Sequence, residues 1–367
     1  MTQTNYTYRF VFAAGGTAGH ITPAIAVAET LKQIKPESEI LFIGSKKRME
    51  SRIVPKAGFH FKTIWISGFA RKFNLQNLLF PLKLSSSVVK SLLILMKFKP
   101  RVAIGSGAFV SGPVLQAASI LGVKIVLLEQ NSYPGVTNRL LEKKAEQIHI
   151  TFKDSEQYFR EKRKLILSGN PIRVQMNLIN KIDALKEFKL DNSKKTLLVL
   201  GGSGGALSIN NAISACSQKL IGENIQILWQ TGDFYYSDYK TLESRFIRIL
   251  PFIENMNAAY SAADLILARS GATTISEVSA LGLPVIFVPS PNVAADHQYK
   301  NAKSLVDENA AIVLRDNELS EKLFDEIKSV ISNEEKLETM RTNIKKFSQP
   351  DAAKIVATNI IKLAETF

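Results

Sequence analysis

Two glycine-rich segments have the residue types and spacing of phosphate-binding loops. FVFAAGGTAGH and LLVLGGSGGAL each place a glycine pair between an apolar run and a helix-like segment. Backbone N–H groups at such a turn, together with the positive end of the helix dipole, suit a phosphate or diphosphate. A tight strand-to-helix turn also favours glycine for steric reasons, so one such loop alone does not show that a phosphate binds there. The repetition, with Gly15 and Gly201 186 residues apart, and a third cluster at Gly105 and Gly107 favour phosphate binding.

The glycine spacing excludes several common nucleotide sites. A dinucleotide site needs G-x-G-x-x-G and an acidic residue about 20 positions later, and neither loop has this pattern. The Walker pattern is absent as well, and so is an Asp-x-Asp pair that would hold a divalent ion on a sugar-nucleotide diphosphate. We therefore expect no metal and no cofactor, and the charge of a diphosphate would be met by helix dipoles, N–H groups and an arginine.

Two further side chains could do chemistry near these turns. His20 follows the first loop, and a histidine titrates near neutrality, so it is a candidate general base for a hydroxyl. A core or helix-capping histidine is the alternative. Glu277 follows the strand-like run DLILAR, where a carboxylate could accept both hydrogens of a ribose cis-diol. An acid that stabilises the first turn of a helix would have the same setting, so the residues alone leave both roles open.

The elements that position these residues alternate between short apolar runs and helix-like stretches. The runs include YRFVFAA, EILFIG, RVAIGSG, VKIVLLE, KTLLVLGG, NIQILWQTG, DLILARSG and LPVIFVPS. Strands that alternate with helices in this way predict parallel α/β units. Because each half opens with the same glycine-loop unit, we predict two Rossmann-like, doubly wound domains that face each other across a cleft.

The predicted domain boundary lies near GNPIR, because the residues that follow it are polar and charged before the second unit begins. Residues 1–170 are expected to form the first domain, and residues 171–350 the second. Residues 351–367 follow Pro350 and predict a helix that crosses back to the first domain.

Composition and charge narrow the function classes. The chain has 367 residues, 46% of them hydrophobic, which suffices for two globular cores. Residues 1–173 hold 26 Lys and Arg against 10 Asp and Glu, whereas the rest holds 21 against 23, so an anionic partner is expected for the first half. A lone cysteine, Cys216, and the lack of a secretory signal pattern favour the cytoplasm, and Gly and Pro interrupt the uncharged stretches that might otherwise span a membrane.

Several segments, in order along the chain, resemble the MurG family of glycosyltransferases, a part of glycosyltransferase family 28. They are GGTAGHITPAIAVAETL, SGAFVSGPVL, LEQNSYPGVTNRLL, GNPIR, LGGSGGALSINNAI, PFIENMNAAYSAADLILARSGATTISEVSALGLPVIFVPSP and DHQYKNA. The matches run from about residue 10 to residue 305 and cover both predicted domains. Ala18 departs from the pattern, because the family usually has glycine there.

The resemblance implies the two-domain GT-B fold and an inverting, metal-independent transferase. In that fold, residues 1–170 are expected to face the acceptor and the membrane, and residues 171–350 to bind the nucleotide-sugar donor. Its expected reaction moves N-acetylglucosamine from UDP-N-acetylglucosamine to the C4 hydroxyl of undecaprenyl-diphospho-N-acetylmuramoyl-pentapeptide, which converts lipid I to lipid II. The alternative is a related GT-B transferase with another membrane lipid as acceptor, and a non-catalytic nucleic-acid-binding protein is a third hypothesis.

The resemblance also implies roles for particular residues. Glu277 is expected at the uridine ribose, Ile253 at the uracil through its backbone, Gln298 at the sugar hydroxyls, and His20 as the general base. The remaining expected substrate contacts are Thr17, Ala18 and Gly19 in the first loop, Asn131, Arg173 at the departing diphosphate, Ser203 in the second loop, and Ala272, Thr273, Thr274, Ile275 and Ser276 beside the ribose and diphosphate.

A stretch without acidic residues predicts peripheral membrane contact. Residues 51–128 contain eleven Lys or Arg and no Asp or Glu. Within it, Leu75, Leu78, Leu79, Phe80 and Leu82 lie among Arg71, Lys72, Lys83 and Lys90, and positions 89, 92, 93 and 96 form a helical apolar stripe that we expect to be mostly core. An anionic membrane surface explains both the apolar residues and the basic rim. Nucleic acid is not expected, because no reading motif or stacking aromatics accompany the charge. Together with this stretch, the family resemblance implies a peripheral protein on the cytoplasmic face of the inner membrane.

Overall fold

The structure is a computed structural model that describes residues 8–46, 48–67, 79–173 and 176–366. It forms two compact units, one made of residues 1–174 and 349–367 and the other of residues 175–348. Each unit is built around its own parallel β-sheet. The prediction of two parallel α/β domains is therefore confirmed.

Seven parallel strands form the sheet of the first unit. In chain order they are β1 (Arg9–Ala13), β2 (Glu39–Ser45), β3 (His60–Ile64), β4 (Val102–Gly105), β5 (Lys124–Glu129), β6 (Gln147–Ile150) and β7 (Leu165–Leu167). Across the sheet the order is β3-β2-β1-β4-β5-β6-β7, so the winding direction reverses between β1 and β4. In doubly wound sheets, ligands bind outside the carboxyl ends of the strands at such a reversal.

Six parallel strands form the sheet of the second unit. They are β8 (Lys195–Leu200), β9 (Ile225–Gln230), β10 (Ile247–Leu250), β11 (Leu265–Ala268), β12 (Val285–Phe287) and β13 (Ile312–Val313). Their order is β10-β9-β8-β11-β12-β13, so the reversal lies between β8 and β11. The two glycine loops follow β1 and β8, which places each loop at the reversal of its own sheet.

Helices connect the strands. In the first unit they are α1 (Ala18–Ile34), α2 (Glu50–Lys56), α3 (Phe80–Phe98), α4 (Ala108–Ile120), α5 (Val136–Leu141) and α14 (Ala352–Glu365). In the second unit they are α6 (Lys181–Glu187), α7 (Leu207–Gly222), α8 (Tyr236–Tyr239), α9 (Met256–Ala262), α10 (Ala272–Leu281), α11 (His297–Asp307), α12 (Leu319–Ile331) and α13 (Glu334–Lys345).

Both faces of each sheet are buried, which explains why the strands read as continuous apolar runs. In β1, Phe10 and Phe12 enter a cluster with α1, whereas Val11 and Ala13 enter a cluster with α4 on the opposite face. This alternation follows from the two-residue period of a strand. The sheet of the second unit packs against α7 and α12 in a third cluster.

The C-terminal helix α14 belongs to the first unit. Val356, Ile360 and Ala364 are buried in the same cluster as α1. The last carbonyls of the helix accept hydrogen bonds from two cations, Arg101 Nη1 to Ala364 O at 3.2 Å and Lys124 Nζ to Leu363 O at 3.1 Å. Positive charge at this end also complements the helix dipole.

Helix α3 packs against the core with the face opposite to the one that the sequence predicts to be buried. Its buried positions are Ser87, Ser91 and Leu95. Large apolar side chains of the helix are instead exposed, and we call four of them the α3 apolar face: Leu82, Val89, Leu93 and Met96. Of the predicted stripe only Leu92 packs against the core, so the expectation that the stripe is mostly core is wrong. Within the described residues, no helix combines the length and the apolar character needed to cross a membrane.

Candidate active site

The first glycine loop is held in place by a buried carboxylate. Glu50 is fully buried, and its Oε2 accepts from the Gly16 N–H at 3.2 Å while its Oε1 accepts from the Ser45 N–H at 3.0 Å. The Gly16 N–H is therefore engaged within the protein. A phosphate at this loop would have to use the N–H groups that follow, those of Thr17, Ala18 and Gly19.

The alanine at position 18 is compatible with the backbone of this loop. Ala18 is the first residue of α1 and has a helical conformation, which any residue adopts. The positive φ of the loop, +86°, is at Gly16 instead. Ala18 therefore introduces no backbone strain, although its methyl group lies in the segment expected to bind phosphate.

Three strands bring His20 into a cluster of polar groups. β1 and β4 end level with each other, since Ala13 pairs with Gly105, and β5 lies on the other side of β4. The His20 Nδ1 lies 3.0 Å from Gln130 Oε1, at the end of β5. The Gln130 Nε2 donates to Ser106 Oγ at 2.9 Å, and Ser106 Oγ donates to the His20 carbonyl at 2.6 Å. Neither Gln130 nor Ser106 is among the residues that the sequence motifs indicate as functional.

Asn131 lies in a loop that a second buried carboxylate organises. Glu129 accepts hydrogen bonds from the N–H groups of Asn131 and Gly135 and from Asn138 Nδ2, at 2.9 to 3.0 Å. Burial raises the pKa of Glu129, and these hydrogen bonds act in the opposite direction. Glu129 therefore holds the loop that carries Asn131 in place at the carboxyl end of β5.

Arg173 is exposed and belongs to the first unit. Its charge acts on Glu29 of α1: burial raises the pKa of Glu29, and the positive charge of Arg173 opposes that rise. The Arg173 guanidinium is therefore close enough to the Glu29 carboxylate to interact with it electrostatically within this unit.

The second glycine loop needs glycine for its close packing. A Cβ atom at Gly205 would lie 1.9 Å from the Thr231 carbonyl oxygen, and one at Gly232 would lie 2.6 Å from the Gly204 backbone. The loop after β8 thus packs backbone to backbone on the loop after β9. Ser203 lies within it, and α7 begins directly afterwards, which gives the loop the helix N-terminus that the sequence predicts.

Gln230 connects this loop to Ile253. Its Oε1 accepts from the Ile253 N–H at 2.8 Å, and its Nε2 donates to the Gly202 carbonyl at 3.1 Å. The sequence predicts that Ile253 offers backbone groups to a uracil. Because its N–H is engaged by Gln230, the carbonyl is the group left for that role.

Glu277 lies in the second turn of α10, not in the first. The helix begins at Ala272, and its first turn contains no acidic residue, so the first-turn alternative for Glu277 is wrong. Tyr260 of α9 donates its hydroxyl hydrogen to Glu277 Oε2 at 2.7 Å. The other predicted residues of this segment, Ala272, Thr273, Thr274, Ile275 and Ser276, make up the start of the same helix.

Gln298 is the second residue of α11, and its amide is oriented by the backbone. Its Oε1 accepts from the Ser290 N–H at 2.8 Å, so its Nε2 hydrogens are the groups suited to donate to a sugar hydroxyl. Arg315 stabilises the start of α11. Its Nη1 donates to Asp296 Oδ2 at 2.8 Å, and its Cζ lies 3.7 Å from the centre of the Tyr299 ring.

The candidate residues therefore fall into two sets. His20 and Asn131 lie at the carboxyl edge of the first sheet, and Ser203, Ile253 and Glu277 follow strands β8, β10 and β11 at the carboxyl edge of the second. Among the described residues, no group of three or more His, Cys, Asp or Glu is arranged to hold a metal ion.

Family models match both units of the chain. The glycosyltransferase family 28 N-terminal domain matches residues 10–150, and the glycosyltransferase family 28 C-terminal domain matches residues 196–356. The chain belongs to glycosyltransferase family 28. The resemblance inferred from the sequence motifs and the prediction of a glycosyltransferase are thereby confirmed.

Individual relatives match over nearly the whole chain. The UDP-N-acetylglucosamine–N-acetylmuramyl-(pentapeptide) pyrophosphoryl-undecaprenol N-acetylglucosamine transferase of Flavobacterium psychrophilum is 47% identical over 362 residues, 98% of either chain. The transferase of the same name from Christiangramia forsetii is 42% identical over 357 residues, 97% of either chain. The crystal structure of Acinetobacter baumannii MurG is similar with a TM-score of 0.73 and 27% identity, and the match covers 97% of this chain and 99% of that one.

Proposed function

We propose that this family 28 glycosyltransferase moves N-acetylglucosamine from UDP-N-acetylglucosamine to the C4 hydroxyl of undecaprenyl-diphospho-N-acetylmuramoyl-pentapeptide, with inversion at the anomeric carbon. The observation that carries the proposal is the 47% identity, over 98% of the chain, to a transferase named for this sugar and this class of acceptor. Another membrane lipid as acceptor is not favoured, because both relatives described above carry the same name.

The donor is proposed to bind the second unit. Glu277 would accept from the ribose hydroxyls, and the Ile253 carbonyl from the uracil N3–H. The N–H groups around Ser203 and the start of α7 would bind the diphosphate, and the Gln298 amide would donate to a sugar hydroxyl. The hydrogen bonds that orient Glu277, Ile253 and Gln298 from within the protein support these roles.

The chemical step needs a base for the acceptor and groups that stabilise the leaving diphosphate. As the acceptor C4 oxygen bonds to the anomeric carbon, the bond from that carbon to the UDP oxygen breaks, and His20 Nε2 takes the hydroxyl proton. The negative charge that develops on UDP would be met by the N–H groups of the second loop, the dipole of α7 and Arg173.

The lipid of the proposed acceptor lies in a membrane, and the first unit has a surface suited to bind one. The α3 apolar face is exposed, with Leu93 60% accessible, and Lys83, Lys90 and Lys97 lie on the same helix. Exposed apolar side chains with a basic rim are typical of proteins that bind anionic lipid headgroups reversibly. We propose peripheral attachment to the cytoplasmic face of the inner membrane through this face. Arg71, Lys72, Leu75 and Leu78, also predicted to contribute, lie outside the described residues.

A transfer assay tests the proposed function. The purified protein, UDP-N-acetylglucosamine and a lipid I analogue should yield the disaccharide product with a β linkage, and a diacylglycerol acceptor should yield none. His20→Ala should lower kcat by ~10²- to 10⁴-fold with little change in the donor KM, because proton removal matters only as the acceptor attacks. Turnover of the diacylglycerol in place of lipid I would replace the proposed acceptor.

A further inference from the structure

His20, Gln130 and Ser106 form a closed ring of hydrogen bonds. The ring runs from the His20 side chain to Gln130, from Gln130 to Ser106, and from Ser106 back to the main chain of His20, over 3.0, 2.9 and 2.6 Å. Ser106 is fully buried and Gln130 is 3% exposed. Each of the three residues comes from a different element, the start of α1, the turn after β4 and the end of β5.

The direction of every hydrogen bond in the ring is fixed by its one backbone member. A carbonyl oxygen can only accept, so the Ser106 hydroxyl must donate its hydrogen to the His20 carbonyl. Ser106 Oγ then accepts from Gln130, which must present its Nε2 to the serine and its Oε1 to the histidine. Because Oε1 cannot donate, the hydrogen between Gln130 and His20 belongs to His20 Nδ1.

We propose that Gln130 and Ser106 are positioning residues that hold neutral His20 in the Nδ1–H tautomer. Its Nε2 then carries the lone pair that takes the proton from the acceptor hydroxyl. The proposal rests on the proposed function, in which His20 is the base. In the opposite tautomer Nε2 carries the hydrogen and cannot act as a base, and Nδ1 loses its hydrogen bond to Gln130.

The groups around the hydrogen-bonded ring indicate that it positions the His20 imidazole and does not stabilise a positive charge on it. Gln130 is neutral, unlike the carboxylate that orients the histidine of a catalytic triad. The buried carboxylates on neighbouring elements, Glu50 and Glu129, accept hydrogen bonds from other groups. Gly107 leaves room for the ring of His20, since a Cβ atom there would lie 3.0 Å from Nδ1. The two side chains that close the hydrogen-bonded ring with His20, those of Gln130 and Ser106, are therefore both uncharged.

Histidine-selective ¹⁵N labelling tests the tautomer directly, because the chain has four histidines. At a pH where the ring is neutral, His20 should show a protonated Nδ1 and an unprotonated Nε2, with its signals assigned through their loss in His20→Ala. Gln130→Met and Ser106→Ala should each produce a mixture of tautomers. Gln130→Glu, which keeps an acceptor for Nδ1–H, should retain the Nδ1–H form. A protonated Nε2 in the wild type, or an unchanged tautomer in Gln130→Met, would overturn the proposal.

Kinetics provide the second readout. Gln130→Met should lower kcat about tenfold, a part of the ~10²- to 10⁴-fold contribution of a general base, with a donor KM within about twofold of wild type. Gln130→Glu should recover part of the lost kcat. A matched control is Gln226→Met, which removes another buried glutamine, one that donates to Thr196 Oγ1 in the second unit; it should leave kcat and the His20 tautomer unchanged.

The two readouts separate the inference from the proposed function. If the protein transfers no sugar to lipid I, the proposed function fails, and the ¹⁵N spectra still decide the tautomer. If transfer occurs and the Gln130→Met kcat equals that of wild type, the positioning role is refuted while the proposed function stands.

Discussion

Tyr260 donates its hydroxyl hydrogen to Glu277 across 2.7 Å, from one helix of the second unit to the next. The tyrosine is almost fully buried, and burial, followed by the nearby charge of Glu277, raises its pKa well above the ordinary value of 10.0. It therefore stays a hydrogen-bond donor at any physiological pH. A carboxylate held in this way is pre-oriented before a ligand arrives.

Glu277→Ala should mainly weaken donor binding. A ribose contact is present in the ground state and in the transition state alike, so its loss raises the donor KM and leaves kcat nearly unchanged. A hydrogen bond to a charged group contributes about 1.5 to 3 kcal/mol, which corresponds to a ~10- to 100-fold increase in KM. Steady-state kinetics with varied UDP-N-acetylglucosamine measure this. A donor KM equal to that of wild type would show that the carboxylate contacts something other than the donor.

Tyr260→Phe should raise the donor KM by a smaller factor, about three- to tenfold, because the carboxylate remains and only its orientation is lost. The effect should vanish in the Glu277→Ala background, since Tyr260 acts through Glu277. Kinetics of the two single variants and the double variant form the required cycle. Equal effects of Tyr260→Phe in both backgrounds would mean that the tyrosine affects the donor site by another route.

Removal of divalent metals should leave turnover unchanged. The groups proposed to stabilise the leaving diphosphate are loop N–H groups, the dipole of α7 and Arg173, all of which are part of the chain. Initial rates with and without EDTA measure the effect. Loss of activity with EDTA and its recovery with magnesium or manganese would establish a metal requirement.

Binding to anionic vesicles should depend on the α3 apolar face and on its basic rim in different ways. Val89→Ser with Leu93→Ser should weaken co-sedimentation at every salt concentration, because apolar burial is not screened. Lys83→Glu with Lys90→Glu should weaken it most at low salt, since each cation near an anionic surface contributes about 1 kcal/mol and salt screens that term.

The matched control for vesicle binding is Leu178→Ser, which changes an exposed leucine of the second unit. It should sediment like wild type. Wild-type binding by the Val89→Ser, Leu93→Ser protein would refute membrane contact through this face.

The stability of the first unit should fall as the pH is lowered from about 6.5 to about 4. Burial of His149 in β6 lowers its pKa from 6.5 to about 4, so in this window the unfolded chain binds a proton that the folded protein does not. The free energy of unfolding therefore decreases with falling pH, by about 3 kcal/mol for this histidine. Glu129, whose pKa is raised by burial, contributes with the opposite sign.

The comparison of His149→Gln with wild type isolates the histidine from Glu129. Urea unfolding at pH 4.5 and pH 7 should show a smaller pH effect in His149→Gln than in wild type. His60 is exposed at the start of β3, so His60→Gln should keep the wild-type pH effect. An identical pH effect in all three proteins would contradict the assignment to His149.

The periodicity of α3 predicted a helix but not the face that it buries. Leu93 and Ser91 both belong to an apolar-rich stretch, and the hydrophobic pattern favours burial of the leucine. In the structure the serine side is buried, and Ser87 donates to the Trp65 carbonyl at 2.8 Å. That hydrogen bond joins residues 22 positions apart, and no local pattern could have indicated it.

Candidate residues in sequence motifs were predictable, whereas the residues that orient them were not. The LEQN segment predicts Asn131 as a substrate contact but indicates no role for Gln130, which directly precedes it. Its function depends on the adjacency of β4 and β5 and on a histidine 110 positions away. The sequence does contain one indication of such a residue, namely two polar residues in succession at the carboxyl end of a buried strand. Successive side chains point in opposite directions, so one of the two is expected to point into the protein and to need a polar partner there.

The position of α14 reverses the order in which the two units can be completed during synthesis. The second unit is made of one continuous stretch, so all of its strands and helices have been translated once residue 348 has been made. The first unit is interrupted, and part of its core, including Val356 and Ile360, is supplied by the final helix. The part of the protein that is translated first therefore needs the segment that is translated last, and a chain that ended near residue 350 would contain all of the second unit but leave an open hydrophobic surface on the first.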